Sequence, residues 1–155
     1  MMKLRYVWSL SCVLVSSVVL ANPIEDQIRI RQSTYAVMGW NTGKIKNQIV
    51  DHPETYNKDQ IIAAANTLSA LAHSNLLEEL YGVGTDKGTG WKPTRLKADY
   101  FQKQDEVKEI NARLIKETDE LKVVAETGDV AAIKSQFGKL GATCKSCHDL
   151  IRVRE

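Results

Sequence analysis

The sequence predicts an all-α fold, an antiparallel four-helix bundle. Three observations lead there. Apolar residues recur every three or four positions along four long stretches, the rhythm of amphipathic helices. No stretch of any length alternates apolar with polar, as a half-buried strand would. Aromatic residues make up only 6% of the chain, whereas strand-rich folds lean on them. With 155 residues the chain holds about one domain, and 43% hydrophobic residues suffice for one core. Charged residues at 26%, with nine Gly and three Pro, exclude a disordered or collagen-like chain. The formal net charge of +2 comes with no basic stripe, which excludes an ordinary nucleic-acid binder.

Residues 1–21 read as an address rather than as structure. Lys3 and Arg5 make a positive start, an apolar run extends from Val7 to Leu20, and Val19-Leu20-Ala21 suits a signal peptidase. The run is short for a transmembrane helix, which disfavours a retained anchor. Cleavage after Ala21 leaves residues 22–155 as the folded domain, delivered to a bacterial periplasm with no membrane attachment. Losing Lys3 and Arg5 takes the formal charge from +2 to zero. Losing Cys12 leaves Cys144 and Cys147 as the mature cysteines.

The first helix opens at Asn22-Pro23, because a proline at the first helical position gives up an N–H that would be unpaired anyway. Glu25 and Asp26 favour the positive end of its dipole. Ile24, Ile28, Tyr35, Met38, Ile45 and Ile49 mark its inner stripe, which fades near Val50. Arg31 falls on that stripe with Gln32 beside it; a buried arginine needs a partner, and an anionic cofactor edge would serve. Asn57 with Gln60 starts the second helix in the manner of a capping box. Ile61, Ala64, Ala65, Leu68, Leu71 and Ala72 form its buried face, and it is expected to reach about Leu80. Four glycines within residues 82–90, with Pro93 after them, mark a loop. The third helix is expected from Pro93 or Thr94, carrying Leu96, Tyr100, Val107, Ile110, Leu114, Leu121 and Ala125, with Gly128 as a left-handed cap. Asp129 caps the fourth, whose stripe is Val130, Ile133, Phe137, Leu140, Cys144, Cys147 and Ile151. Each helix would be marginal alone, so packing holds them, and short connections make neighbours antiparallel.

Cys144-Lys145-Ser146-Cys147-His148 is the C-x-x-C-H attachment pattern of c-type haem. On a helix, positions i, i+3 and i+4 share a face, so both thiols can add to one porphyrin edge while the imidazole reaches its iron. A redox dithiol shares C-x-x-C, but it opens a helix after a strand, and no strand pattern exists here. A zinc site would need a second Cys or His pair; the other histidines, His52 and His73, fall on loop or polar-face positions. No nucleophile or acid–base constellation indicates an enzyme.

The mature chain resembles cytochrome c′, the four-helix-bundle c-type cytochrome of the bacterial periplasm, over nearly all its length. The resemblance rests on Pro23 to Asp26, Arg31-Gln32-Ser33, Met38-Gly39-Trp40, Leu80 to Thr85, Thr127-Gly128-Asp129, Gln136-Phe137-Gly138, and the motif from Cys144 to Asp149 with Arg152. It departs in a somewhat longer glycine loop and in Glu78, where the family has a Trp-type residue. The resemblance implies one covalent haem c per chain, held through Cys144 and Cys147, with His148 as the proximal iron ligand and Arg152 one turn later beside it. Arg31 and Gln32 match polar residues near the haem propionates, Tyr35 occupies the distal position, and Tyr81 and Phe101 would line the pocket.

The implied function is binding of small diatomic gases, NO and CO, at a five-coordinate high-spin iron, with NO scavenging and electron transfer to an unidentified redox partner as roles. An apolar distal pocket admits such neutral molecules with little loss of hydration, and Tyr35 would have to move to admit them. Core packing explains Tyr35 as well as gating does. Met38, about one turn beyond it, is ordinary core filler or, in the alternative of a low-spin His/Met electron carrier, the sixth ligand. The resemblance also implies a homodimer through the first two helices, for which Trp40 and Ile49 are candidate contacts.

Overall fold

The computed structural model describes residues 22–154; the leader-like segment 1–21 lies outside the described residues. Helix α1 (Pro23–Lys46) starts where expected, with the Asn22 side chain accepting the Ile24 N–H at 3.1 Å and Pro23 in the first turn. It runs into a π-helical turn at Asn47–Asp51 and a short 3₁₀ turn at Pro53–Thr55. Helix α2 (Lys58–Ala72) is capped by Asn57, whose Oδ1 accepts the Gln60 N–H at 3.0 Å. The reciprocal half of the cap comes from elsewhere: the Asn57 N–H donates to Oε1 of Gln48 at 2.9 Å, and the Gln48 amide donates to Gln60 at 2.8 Å.

Two boundaries differ from the sequence expectation. Helix α2 stops at Ala72 rather than Leu80, because Asn75 takes a left-handed backbone (φ 52°) and turns the chain into a separate short helix α3 (Leu76–Leu80). The apolar residues of α3 keep the helical rhythm, so the break leaves no mark in the pattern. The third long helix, α4 (Gln104–Thr127), begins ten residues after Pro93's neighbour Thr94 rather than at it. Pro93 sits in an isolated bridge with Thr89, Leu96 pairs with Arg152, and Tyr100 lies in a 3₁₀ turn at Ala98–Gln102. The spacing of Leu96 and Tyr100 thus imitates a helix without being one. Helix α4 ends on Gly128 (φ 76°), and Asp129 Oδ1 accepts the Ala131 and Ala132 N–H groups at 2.9 and 3.1 Å to start α5 (Val130–Ile151). Among the described residues there are isolated bridges but no strands.

Helix α4 packs against α2 and α5, and α1 against α2, which ties the four long helices into one bundle. Two clusters fill it. One is aliphatic, with Ile45, Ile49, Ile61, Leu68, Leu121, Ile133 and Leu140 nearly sealed from solvent. The other lies among Leu80, Tyr81, Leu96, Tyr100, Val107 and Ile151, where loops meet helix ends. Tyr35 touches both. Ile49 is 1% exposed and so cannot be the surface contact expected of it, whereas Trp40 is 72% exposed.

Candidate cofactor site

Helix α5 carries Cys144, Cys147 and His148 at i, i+3 and i+4, and the three converge on one cavity of about 160 Å³. Tyr35 and Met38 of α1, Leu68 of α2, Leu114 of α4 and Leu140 of α5 supply other walls. A second cavity of about 470 Å³ shares Tyr35 and His148 with the first, and it is lined further by Arg31, Gln32, Tyr81 and the segment from Trp91 to Leu96.

The protonation states suit a cofactor anchor better than a redox dithiol. Burial pushes Cys147 up to about 11, with the neighbouring Cys144 adding to it, and burial raises Cys144 as well. A reactive dithiol needs the opposite, a thiol stabilised as thiolate. No disulfide joins the two cysteines. Among the described residues no three His, Cys, Asp or Glu side chains converge on a metal position. His52 pairs with Glu54, and His73 with Asp119, away from the cavities. His148 is exposed at one edge, yet partial burial, followed by the charge of Arg152, holds its imidazole below the ordinary value. It therefore offers a neutral ring nitrogen, the form a metal needs.

The distal side is built on α1. Burial pushes the Tyr35 phenol up to about 12 and Tyr81 well above its usual value. Both hydroxyls stay protonated at neutral pH. Tyr81 is held between the Arg31 guanidinium, 4.6 Å from its ring centre, and the Tyr100 ring at 5.1 Å.

Of the other expected residues, Arg31, Gln32 and Arg152 line the larger cavity and Phe101 does not. Arg31 is 6% exposed and lines the larger cavity, and within the protein it donates to neutral groups. One terminal nitrogen donates to the Leu80 carbonyl and the Thr85 hydroxyl, both at 3.1 Å; the other donates to the Thr85 carbonyl and the Thr94 hydroxyl, both at 2.8 Å. Desolvation lowers its pKa accordingly. Gln32 clamps the same loop: its Oε1 accepts from Trp91 and Lys92, and its amide donates to the Lys92 carbonyl. Phe101 lines neither of these cavities. It stands edge-on to Tyr100 in the 3₁₀ turn and borders a different hollow with Tyr81, Asn75 and Lys108. Arg152 does lie at the mouth of the larger cavity, its N–H on the His148 carbonyl at 3.0 Å. Sequence reasoning missed Thr85 and Thr94, whose partnership with Arg31 spans more than fifty residues and leaves no local signal.

The donor set and its shape fit a covalent haem. Two protonated thiols and a neutral imidazole share one face, and adjoining cavities lie on either side of Tyr35. This arrangement on a helical bundle defines the class of bundle-type c cytochromes. A match to the family described as Cytochrome C′ spans residues 26–152, and the chain belongs to that family. Cytochrome c′ of Rhodocyclus tenuis is 47% identical over 131 residues, covering 84% of this chain and 96% of the relative. That of Allochromatium vinosum is 43% identical over 130 residues, covering 84% and 82%. A solved cytochrome c′ with ligand-controlled dimer dissociation superposes with a TM-score of 0.79 at 42% identity, over 86% of this chain and 98% of that one. Variants of the Alcaligenes xylosoxidans protein, 26% identical, have been solved with nitric oxide and with carbon monoxide bound. The family carries covalent haem c, and Cys144 and Cys147 fit its attachment motif.

Proposed function

We propose that residues 22–155 form a periplasmic gas-binding cytochrome, exported by the leader at 1–21, with His148 as proximal ligand and the opposite face open to NO and CO beneath Tyr35. The observation that carries this reading is Tyr35 itself, which lines both cavities beside His148 and keeps its proton at neutral pH. Haem, when bound, supplies a redox-active iron with one ligand position to spare. Cys144 and Cys147 hold it by thioether bonds, and His148 presents an uncharged nitrogen. Leu68, Leu77, Leu114 and Leu140 make the smaller cavity mostly apolar, so neutral diatomics enter with little desolvation while anions are disfavoured. Tyr35 fills the approach and must swing aside, so entry is gated. The NO and CO complexes of the relatives support the ligand class. Scavenging of NO is the role we assign, with one-electron transfer as a second capacity.

Met38 packs in the aliphatic cluster with Ile45, Leu68 and Leu121 while also bordering the smaller cavity. A low-spin His/Met carrier requires its sulfur to leave that packing. We assign a homodimer to the exposed Ile30, Val37 and Trp40 of α1, in keeping with the dimeric relative. Replacing Tyr35 tests the gate. Tyr35→Ala is expected to raise the CO association rate at least about tenfold, or about 1.4 kcal/mol of barrier; an unchanged rate overturns the gating role.

A further inference from the structure

Helix α5 carries the haem motif almost to its end: His148 stands in the last turn, at the surface. A helix leaves its last four carbonyls without partners of its own, so such a turn frays unless something serves them. Helix α4 solves this locally by ending on the left-handed Gly128. Helix α5 has no such glycine. The Arg152 N–H takes the His148 carbonyl at 3.0 Å, and one distant residue takes the three that follow. Lys97 Nζ donates to the Asp149 carbonyl at 2.7 Å and to the Leu150 carbonyl at 3.3 Å, and the Lys97 N–H donates to the Ile151 carbonyl at 2.8 Å. The ammonium also meets the negative end of the helix dipole. The residues before Lys97 are stitched to the same tail. Leu96 pairs with Arg152, the Val153 N–H donates to the Arg95 carbonyl at 2.9 Å, and the Arg95 guanidinium donates back to the Val153 carbonyl at 2.8 and 3.0 Å. Further upstream the segment is anchored to α1, by Gln32 at Trp91 and Lys92 and by Arg31 at Thr94. The backbone that carries His148 is therefore tied, through residues 91–97, to the helix that carries Tyr35. Lys97 itself lines neither cavity beside His148.

We infer that Lys97 is a positioning residue for the cofactor: it closes the last turn of α5 and so fixes where the His148 imidazole stands against the iron. The inference rests on the haem reading and adds to it what holds the proximal side. An imidazole on an unyielding backbone resists the small movement of the iron that accompanies binding of a sixth ligand, and one on a loosened turn follows it. The Lys97 contacts, present whether or not the ligand is bound, thus hold the affinity for CO down.

The test compares the haem-loaded protein with its Lys97→Met variant, which keeps the aliphatic stem and removes the donor. In the reduced protein the resonance Raman band of the iron–histidine stretch is expected to shift and broaden, and CO affinity to rise at least about threefold, through slower dissociation. Lys97→Arg, which retains a charged donor, is expected to bring the band and the affinity most of the way back. Lys103→Met removes a charge nearby, where Lys103 pairs with Asp99 at 2.6 Å, and leaves both readings unchanged. Faster hydrogen exchange at the end of α5 with an unmoved iron–histidine band and an unchanged CO affinity would make Lys97 a helix cap and nothing more, and overturns the inference. An equal effect of Lys103→Met overturns it too. If Lys97→Met does not fold, Lys97→Gln decides in its place, since its shorter amide reaches fewer of the three carbonyls: a shifted band supports the inference and an unmoved one overturns it. Absence of a Soret band in the unaltered protein would instead overturn the haem reading beneath it.

Discussion

The two core clusters of the bundle are built on opposite plans. The aliphatic one is made by helices alone, and its members Ile61, Leu68, Leu121 and Ile133 lose all contact with solvent. The aromatic one is assembled from a short helix, a 3₁₀ turn, an extended loop and the end of α5, and cavities border it on several sides. The first is sealed except where Met38, Leu68 and Leu140 border the smaller cavity. The second is a frame around a space, kept in shape by hydrogen bonds such as those of Arg31 and Gln32 to the glycine-rich loop. The sealed packing lies mainly in the first, while the smaller cavity takes its walls from both.

The largest expected effect falls on the cofactor anchor, where the two clusters meet. Replacing both Cys144 and Cys147 by Ala should abolish covalent haem, read as loss of the haem band on a denaturing gel, while the helical circular dichroism of the aliphatic end largely persists. In the aliphatic cluster, Leu68→Ala should cost about 3 kcal/mol in denaturant unfolding, since it removes a fully buried side chain and enlarges the cavity that Leu68 borders. A loss under about 1 kcal/mol would mean that this end is looser than its packing implies.

Arg31→Met should cost about 2 kcal/mol, because it strands the carbonyl and hydroxyl groups that the guanidinium satisfies. Hydrogen exchange should rise in residues 82–95 and not in α2. Tyr35 gives a pH signature of similar size. Its folded pKa of about 12 lies above the ordinary 10, so the folded state binds the proton more tightly. The stabilisation, about 2–3 kcal/mol, is present in full below pH 10 and disappears as pH rises through 12. Tyr35→Phe should remove that alkaline loss, and tyrosinate absorbance should show one late-titrating phenol fewer.

The same contrast decides what was legible in the sequence. Helix signals that depend on neighbours in the chain were readable: Asn22-Pro23, Asn57, Gly128 and Asp129 all act where they were expected. So was the stripe of the aliphatic core, and so was the shared face of Cys144, Cys147 and His148, because one helical turn sets their spacing. The frame was read less well. Asn75 broke a rhythm that Leu76, Leu77 and Leu80 continue, and Leu96 with Tyr100 copied helical spacing in non-helical backbone. Arg31 was rightly placed indoors, but its partners Thr85 and Thr94 are distant in the chain and common in type. Phe101 faced away for the same reason: its direction is set by a turn whose geometry the pattern of side chains does not encode.

The account depends on a haem with one open side beneath Tyr35, and the visible spectrum of the reduced protein with and without CO tests it most directly. A high-spin, five-coordinate spectrum whose Soret band shifts and sharpens on adding CO is the expected result. A low-spin, Met-ligated spectrum that does not respond to CO would contradict it.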